Sequence, residues 1–351
     1  MDLSPYLKLM VEKQASDIYL TAGSQVKIKI EGRQMPVGKT LLTAEMVRDA
    51  AYGIMNENQA RAFEVKHESD FAIAEEGVGR FRVNVFLQRG QVAMVLRYIP
   101  SEVPKLETLG VPLILEQLVM YKRGLILVVG ATGSGKSTTI AAMLRHRNEQ
   151  EASHILTIED PIEYNHANIQ SIFNQREIGQ DTLSYANALR QSTREAPDVV
   201  VIGESRDRET MEAAIQLAGT GQLAISTLHA NNAPQTMDRI LNLFPDQMRK
   251  QLLLDLSIYL RAIISQRLVM GRNGRRLAAV EIMINTPHIS DLISRGEIDQ
   301  IREAMEESSE PGMQSFDEAL HRLYRDKRIT LEEALRNADS RANLEAKINF
   351  G

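Results

Sequence analysis

The sequence contains no cysteine among its 351 residues. This absence excludes disulfide bonds and any zinc site built on thiolates. Long apolar runs are missing too, because LILVV, the longest near the centre, is far below the roughly 20 residues of a membrane-spanning helix. The first residues, MDLSPYLKLMVEKQ, lack the apolar core of a signal peptide. We therefore expect a cytoplasmic protein without direct membrane insertion, whose membrane contacts come through partners.

An excess of basic charge is also lacking. The net charge is −5, so we expect no nucleic-acid partner. The hydrophobic fraction of 43% and the charged fraction of 25% are those of an ordinary globular protein. The length allows two or three domains, and neither an internal repeat nor a low-complexity tract is present.

The first hundred residues show the pattern of a small α+β domain. VKIKIEG, residues 26–32, alternates apolar and polar positions and predicts a half-buried strand before a turn. Residues 80–99 predict a hairpin with a turn that contains glycine. The first arm of this hairpin places Phe81, Val83 and Val85 on one face and polar residues on the other.

Prolines and apolar runs then divide the rest of the chain. Three prolines within IPSEVPKLETLGVP predict a stiff linker. The apolar runs GLILVVG, HILTIED, DVVVIGE and LAISTLHA alternate with helical segments, which is typical of a parallel sheet covered on both faces. We predict an N-terminal domain at 1–99, a linker at 100–112, an α/β core at 113–285 and a helical C-terminal region at 286–351.

The stretch GATGSGKST follows a predicted strand and opens a predicted helix, and it indicates a phosphate-binding loop. It matches the pattern G-x-x-x-x-G-K-[ST], and a chance glycine-rich turn would lack this strand–loop–helix context. Backbone N–H groups of such a loop surround phosphate oxygens. Lys136 should reach the β- and γ-phosphates and Ser137 should bind Mg²⁺. The predicted nucleotide-binding residues are Gly130, Ala131, Thr132, Gly133, Ser134, Gly135, Lys136, Ser137 and Thr138.

Acidic and imidazole side chains follow three other predicted strands. Glu204 ends DVVVIGE, where it could serve a magnesium site or simply complement the dipole of the following helix. TIEDPIEY holds three carboxylates, Glu159, Asp160 and Glu163, of which one is a candidate base that orients or deprotonates water. His229 follows a fourth strand, and beside a nucleotide it could sense or orient the γ-phosphate.

Four motifs in this order resemble those of the secretion-superfamily ATPases. GATGSGKST, TIEDPIEY, DVVVIGESRDRET and STLHANNAPQTMDRI are similar to the Walker A motif, Asp box, Walker B motif and His box of that family. Within the family the chain resembles the PilT/PilU branch, the type IV pilus retraction ATPases, from ASDIYLTAG to GMQSFDEAL. The resemblance implies a homo-hexamer with an N-terminal PAS-like α+β domain, a RecA-like P-loop NTPase core, and ATP clamped between them.

The resemblance also assigns roles by position. Glu163, the last acid of EDPIE, matches the catalytic glutamate of the family, while Glu159 and Asp160 support the site. Glu204 matches the Walker B glutamate, and His229 matches the His-box histidine.

Two arginines of the predicted hairpin complete the implied site. Arg82 and Arg97 match arginines of the family that reach the phosphates when the domains close. The alternative, which composition alone does not exclude, is that both are ordinary exposed residues of a strand. The planar guanidinium suits phosphate better than an ammonium does. The implied cofactors are ATP and Mg²⁺.

Departures from the family pattern indicate an accessory, PilU-type member. Assembly and type II secretion ATPases carry a tetracysteine zinc element and a longer N-terminal region, and this sequence has neither. Where the principal retraction ATPase has the motif AIRNLIRE, this sequence reads HISDLISR, with Ser290 and Ser294 in place of both arginines. Ile289, Leu292 and Ile293 keep the apolar face. The acidic tail EEALRNADSRANLEAKI is a further PilU-like feature.

We therefore expect ATP hydrolysis to power pilus retraction together with the principal retraction ATPase, at the inner-membrane base of the pilus machine and beside its platform protein. One alternative is a self-sufficient PilT-type motor. A second is a non-catalytic ATP-binding structural subunit, which the intact Lys136, Glu163 and Glu204 disfavour. A third, a nucleic-acid translocase, is disfavoured by the acidic balance.

Overall fold

The computed structural model describes residues 1–30, 32–99 and 102–350, apart from the side chain of Phe350. Parts of three predicted features lie outside the described residues: Glu31 of the strand at 26–32, Pro100 and Ser101 of the linker, and Gly351 of the C-terminal region. The chain divides into two compact units. Unit 1 comprises Met1–Glu102 and Glu163–Asn165, and unit 2 comprises Val103–Ile162 and His166–Gly351.

Unit 1 is an α+β unit. Its helices and strands are, in chain order, α1 (Ser4–Glu12), β1 (Asp17–Thr21), β2 (Val26–Ile30), β3 (Arg33–Val37), α2 (Ala44–Ile54), α3 (Glu57–Lys66), β4 (Glu68–Glu75), β5 (Gly79–Gln88) and β6 (Gln91–Ile99). The described strands form one antiparallel sheet in the order β3-β2-β1-β6-β5-β4. The predicted strand and hairpin are confirmed as β2 and as β5 with β6.

Alternation along β5 explains which face of this sheet is buried. Phe81, Val83 and Val85 are fully buried, and they pack with α2 residues such as Val47 and Ala51. Burying each of the larger side chains contributes about 1.5–3 kcal/mol. The other face of β5 carries Arg82, which therefore stands on the side away from this core.

Unit 2 alternates helices and strands. Its elements are α4 (Leu106–Leu109), α5 (Ile114–Val119), β7 (Gly124–Val129), α6 (Lys136–Gln150), β8 (His154–Glu159), β9 (Ile172–Glu177), α7 (Tyr185–Ser192), β10 (Val199–Ile202), α8 (Arg208–Thr220), β11 (Leu223–Leu228), α9 (Ala233–Leu243), α10 (Asp246–Tyr259), β12 (Leu260–Met270), β13 (Arg276–Ile284), α11 (Pro287–Arg295), α12 (Ile301–Glu306), α13 (Phe316–Arg325), α14 (Leu331–Asn337) and α15 (Arg341–Phe350). A short 3-10 turn, Ile298–Gln300, precedes α12.

The described strands of unit 2 form one mixed sheet in the order β13-β12-β7-β11-β10-β8-β9. The four strands predicted from apolar runs are confirmed as β7, β8, β10 and β11, and their pairing is parallel. The sheet is not purely parallel, because β13 returns antiparallel to β12 through a tight turn that contains Gly271 and Gly274. The chain thus has an α/β fold with mixed and antiparallel sheets.

Both faces of the unit 2 sheet are covered. On β7, Leu125, Leu127 and Val129 belong to one apolar cluster with residues of α7 to α12, whereas Ile126 and Val128 belong to another with residues of α4 to α6. The carboxyl ends of β7, β11, β10 and β8 therefore meet at one edge between two helical layers, where ligands bind in folds of this kind.

The last three helices, α13 to α15, pack on the β12–β13 hairpin. Phe316, Leu320 and Ile329 pack on Val269 and Ala279. The apolar face predicted for α11 is confirmed, since Ile289, Leu292 and Ile293 are buried. In the part of the chain that the structure describes, no helix is both long and apolar enough to cross a membrane.

Candidate active site

The phosphate loop predicted at residues 130–138 connects β7 to α6. Gly130 follows the last residue of the buried strand β7, and Lys136 is the first residue of α6. Gly135 caps this helix with a φ of +91°, in the left-handed region that favours glycine. Because glycine has no side chain to cap the helix, the first turn of α6 offers backbone N–H groups to an anion.

Close packing around the loop requires glycine at two positions. A Cβ on Gly130 would lie 2.4 Å from the backbone oxygen of Gln266 and 2.5 Å from Ser134 Oγ. A Cβ on Gly135 would lie 2.7 Å from Gln266 Nε2. The Ser134 hydroxyl is buried and has no hydrogen-bond partner among the described residues. A phosphate oxygen would supply that partner, so the loop fits a phosphate-bearing ligand.

Lys136 and Ser137 stand where the loop becomes helix. Lys136 Nζ donates to the carbonyl oxygens of Gly130 and Ala131 at 2.9 and 3.0 Å. The charged ammonium group therefore lies against the backbone of the phosphate loop. No group of three or more His, Asp or Glu side chains among the described residues could hold a metal ion. Mg²⁺ commonly uses one or two protein ligands with substrate phosphates and water. The Ser137 hydroxyl is therefore compatible with a Mg²⁺ ion that arrives with a nucleotide.

Gln266 on β12 supports the loop and was not predicted from the sequence. Its Nε2 donates to the Ser134 carbonyl oxygen at 2.8 Å, and its Oε1 accepts from Thr139 Oγ1 at 2.8 Å. The residue is only 3% exposed, and both ends of its amide are used. Gln266 therefore fixes the loop and the first turns of α6 to the sheet. The available signal was the polar stretch SQR between the apolar pairs II and LV, at residues 263–269.

Replacing Gly130 by alanine is expected to destabilise unit 2 by about 1–3 kcal/mol, because the added Cβ overlaps the Gln266 backbone oxygen. Gly133→Ala is the matched control, because its φ of +76° is unfavourable for alanine but nothing lies within 4 Å of the new Cβ. Thermal unfolding should show the larger loss for Gly130→Ala. Equal melting temperatures for the two variants would contradict the packing argument.

Glu204 and His229 lie at the carboxyl ends of the neighbouring strands β10 and β11. His229 Nε2 is 3.1 Å from Glu204 Oε1, and Arg206 pairs with the other oxygen, Oε2, at 2.8 Å. The Glu204 side chain is 17% exposed, whereas its partners His229 and Arg206 are 38% and 69% exposed. Glu204 is not the cap of α8, since Asp207 accepts from the Thr210 N–H at that position.

The first two acids of TIEDPIEY lie beside a partly buried tyrosine, Tyr185. Glu159 ends β8 and accepts from Thr157 Oγ1 at 2.6 Å and from Gln175 Nε2 at 3.3 Å. Burial, followed by the negative charges of Asp160 and Glu159, raises the pKa of Tyr185. The raised pKa keeps this phenol protonated beyond the pH range in which a free tyrosine ionises. Tyr185 is another residue of this edge that the sequence did not reveal.

Glu163, the third acid of that stretch, follows a cis Asp160–Pro161 peptide bond and the buried Ile162. It is exposed, and it belongs to the segment Glu163–Asn165 of unit 1.

Arg82 and Arg97 lie directly opposite each other on β5 and β6. Two like charges at such a position repel, and each has its own carboxylate partner. Arg97 Nε donates to Asp17 Oδ1 at 2.8 Å, and Arg82 Nε donates to Asp70 Oδ1 at 3.0 Å. The Arg97 side chain is 64% exposed while Asp17 is buried. The buried carboxylate therefore holds in place a guanidinium that is exposed to solvent.

Comparison with known proteins supports the family that the four motifs suggest. The family model described as Type II/IV secretion system protein matches residues 2–336. The type IV pilus ATPase PilU of Pseudomonas aeruginosa is 49% identical over 352 residues, which cover 100% of this chain and 92% of that protein. The type IV pilus retraction ATPase PilT of the same organism is 40% identical, over 96% of this chain and 98% of that protein.

A solved structure agrees with these relatives. The crystal structure of the pilus retraction motor PilT with bound ADP matches with a TM-score of 0.92 and 42% identity, over 98% of this chain and 99% of that chain. The family predicted from the motifs is confirmed. The chain belongs to the Type II/IV secretion system proteins, in the PilT/PilU family of pilus retraction ATPases, and it is a nucleotide-binding ATPase.

Proposed function

We propose that this ATPase is an accessory, PilU-type motor, which hydrolyses ATP to drive type IV pilus retraction and twitching motility together with the principal retraction ATPase. Identity of 49% to PilU over the whole chain, against 40% to PilT, supports this assignment. The surface of α11 is the observation that carries it.

On α11, serines replace the two arginines of the principal-motor motif, and both hydroxyls bond to backbone carbonyl oxygens nearby. Ser290 Oγ donates to the Ser257 carbonyl oxygen at 2.8 Å, and Ser294 Oγ donates to the Asp291 carbonyl oxygen at 2.9 Å. The buried face of the helix is unchanged in character, so only its polar surface differs. A surface without these two cations would not make the ion pairs through which arginines bind a partner.

At the level of the fold, we propose a PAS-like N-terminal domain at 1–99, a linker at 100–112, a RecA-like core at 113–285 and a helical C-terminal region at 286–351. The antiparallel sheet of unit 1 and the largely parallel, two-sided sheet of unit 2 support this division. We further propose that six copies form a ring in the cytoplasm at the inner-membrane base of the pilus machine. There the partners would be the principal retraction ATPase and the membrane platform protein.

For the chemistry, we propose that the backbone of residues 130–138 and the Lys136 ammonium bind the phosphates of ATP, and that Ser137 binds Mg²⁺. The tight glycine positions and the unpartnered Ser134 hydroxyl support this assignment. When bound, Mg²⁺ neutralises part of the charge on the phosphates. Arg82 and Arg97, each supported by an aspartate, are proposed as further phosphate ligands.

Glu163 is proposed to orient the attacking water and accept its proton. A carboxylate that is exposed to solvent can meet water directly, which supports this role. Glu204 contacts both His229 and Arg206, and it is proposed to hold the groups around the phosphates and the metal ion in place. His229, held by Glu204 through Nε2, is proposed to contact the γ-phosphate side of the nucleotide.

Retraction in cells tests the proposal. In cells that lack every retraction ATPase, this chain alone is expected to leave pili unretracted. Together with the principal motor it is expected to raise the retraction force, measured on tethered pili. Retraction by the chain alone would identify a self-sufficient motor. A Lys136→Ala variant that acts like the wild type would identify a structural subunit, and no effect beside the principal motor would contradict the proposal.

A further inference from the structure

A buried polar network on the β12–β13 hairpin holds the segment that follows His229. Ser265 and Glu281 lie directly opposite each other on the two strands, and Arg267 stands two residues further along the same face of β12. All three contact the segment or one another, whereas Gln266, on the other face, contacts the phosphate loop.

Glu281 fixes the start of α9. Its Oε1 accepts the Ala233 N–H at 2.8 Å and the Ser265 hydroxyl at 2.9 Å. Ala233 is fully buried at the first position of the helix, where the N–H has no partner within the helix itself. The next residue, Pro234, has no N–H. Glu281 therefore accepts the buried Ala233 N–H, which has no acceptor within the helix.

The same carboxylate is itself almost inaccessible to water. Glu281 is 5% exposed, and burial raises its pKa to about 7, while the bonds from Ala233 and Ser265 act in the opposite direction. Keeping an acidic group in such a place costs stability. A residue with that cost is more readily explained by a positioning role than by stability alone.

Arg267 fixes the middle of the segment. Its Nη2 donates to the Asn231 carbonyl oxygen at 3.2 Å. The guanidinium is held in turn by Asp339 at 2.5 Å, by the Asn337 carbonyl oxygen at 2.9 Å, and by the Phe316 ring, whose centroid is 3.9 Å away. These contacts leave the guanidinium little freedom to move.

We propose that Glu281, Ser265 and Arg267 are positioning residues that set His229 against Glu204. The chain leaves β11 at Leu228, passes His229, and is fixed again at Asn231 and Ala233. The two residues between Leu228 and Asn231 are His229, whose imidazole contacts Glu204, and Ala230, which is buried in the apolar cluster. A displacement of about 1 Å at a reacting centre can cost up to about a hundredfold in rate. The proposal rests on the role of His229 in the proposed function.

ATP turnover by the whole 351-residue chain tests the proposal. Glu281→Ala is expected to lower kcat by about tenfold or more while the KM for ATP stays within about twofold, because the group acts on positioning and not on ATP binding. Glu281→Gln, whose amide oxygen can accept both hydrogen bonds, is expected to restore most of the rate. Ser265→Ala and Arg267→Lys should give smaller losses of the same kind.

Two comparisons separate positioning from a general loss of stability. In a His229→Ala background, Glu281→Ala should add little, since the two act through one side chain. Arg272→Lys is the matched control for Arg267→Lys, because Arg272 also bonds to the C-terminal helical region, at the Ile329 carbonyl oxygen, but lies on the turn beyond β12. Hydrogen exchange of residues 229–235, without nucleotide, should accelerate in Glu281→Ala and Arg267→Lys and not in Arg272→Lys.

Equal losses from Glu281→Ala with and without His229 would overturn the proposal, as would unchanged hydrogen exchange. Should Glu281→Ala fail to fold, Ser265→Ala and Arg267→Lys provide the same two readouts. If the wild type turns over ATP and all of these variants turn it over at the same rate, the positioning role is refuted and the proposed ATPase function is not affected. Insensitivity of turnover to His229→Ala would instead contradict the role of His229 in the proposed function.

Discussion

Replacing Glu163 by glutamine is expected to lower kcat for ATP hydrolysis by about a hundredfold or more, because the amide cannot accept a proton from the attacking water. The change preserves size and leaves the phosphate loop untouched. ATP affinity should therefore stay within about threefold of the wild type, which separates chemistry from binding. Steady-state turnover and the binding of a fluorescent ATP analogue would be measured on the same preparations.

Glu159→Gln is the informative companion to this variant, because Glu159 lies four residues away in the same stretch. Its carboxylate is already engaged by Thr157 and Gln175, so it should support the site and not accept the proton. We expect its loss of rate to be clearly smaller. If Glu159→Gln were the more damaging change, or if Glu163→Gln kept a third of the wild-type rate, the assignment of Glu163 would be wrong.

Removing the ammonium group with Lys136→Ala is expected to weaken ATP binding by about 10- to 150-fold. This range corresponds to the roughly 1.5–3 kcal/mol that hydrogen bonds to a charged group contribute. Turnover should fall as well, because the same charge stabilises the phosphates during transfer. Lys136 donates to two carbonyl oxygens of its own loop, so the variant also removes a brace of the loop. Calorimetric titration with ATP would measure the affinity.

Lys122→Ala provides the control for this change. Lys122 is an exposed lysine just before β7, and its removal alters the net charge equally. An equal loss of affinity in both variants would show that ATP responds to overall charge and not to the loop. Retained affinity in Lys136→Ala would contradict the assignment of the phosphate loop.

Local features of this protein could be predicted from the sequence. The phosphate loop is encoded in nine consecutive residues between a strand and a helix, so its position required no knowledge of the tertiary structure. The apolar runs predicted four strands of the unit 2 sheet, and alternation predicted the β5–β6 hairpin. In each case the signal and the structure that it specifies lie within about 20 residues of each other.

The residues that hold these features in place could not be predicted in the same way. Gln266 bonds to a loop 132 positions earlier in the chain, and Glu281 bonds to an amide 48 positions away. Neither pairing leaves a periodic pattern, because it depends on which strands become neighbours. The strand β12 itself was missed, since its run continues directly from α10 without an intervening turn signal. Tyr185 likewise gave no sign of its position among three carboxylates.

The alternation along β12 has a consequence for which length changes the protein can accept. Gln266 bonds to the phosphate loop from one face of the strand. On the other face, Ser265 bonds to Glu281 and Arg267 bonds to the segment that follows His229. Deleting or inserting a single residue within this strand would reverse the faces of all residues beyond it and exchange the two sets of partners. The turn at residues 271–275 sits outside that constraint. The register of β12 is regular from Ala262 onward, so homologous proteins should vary in length at this turn and keep an unbroken count of residues between Ala262 and Arg267.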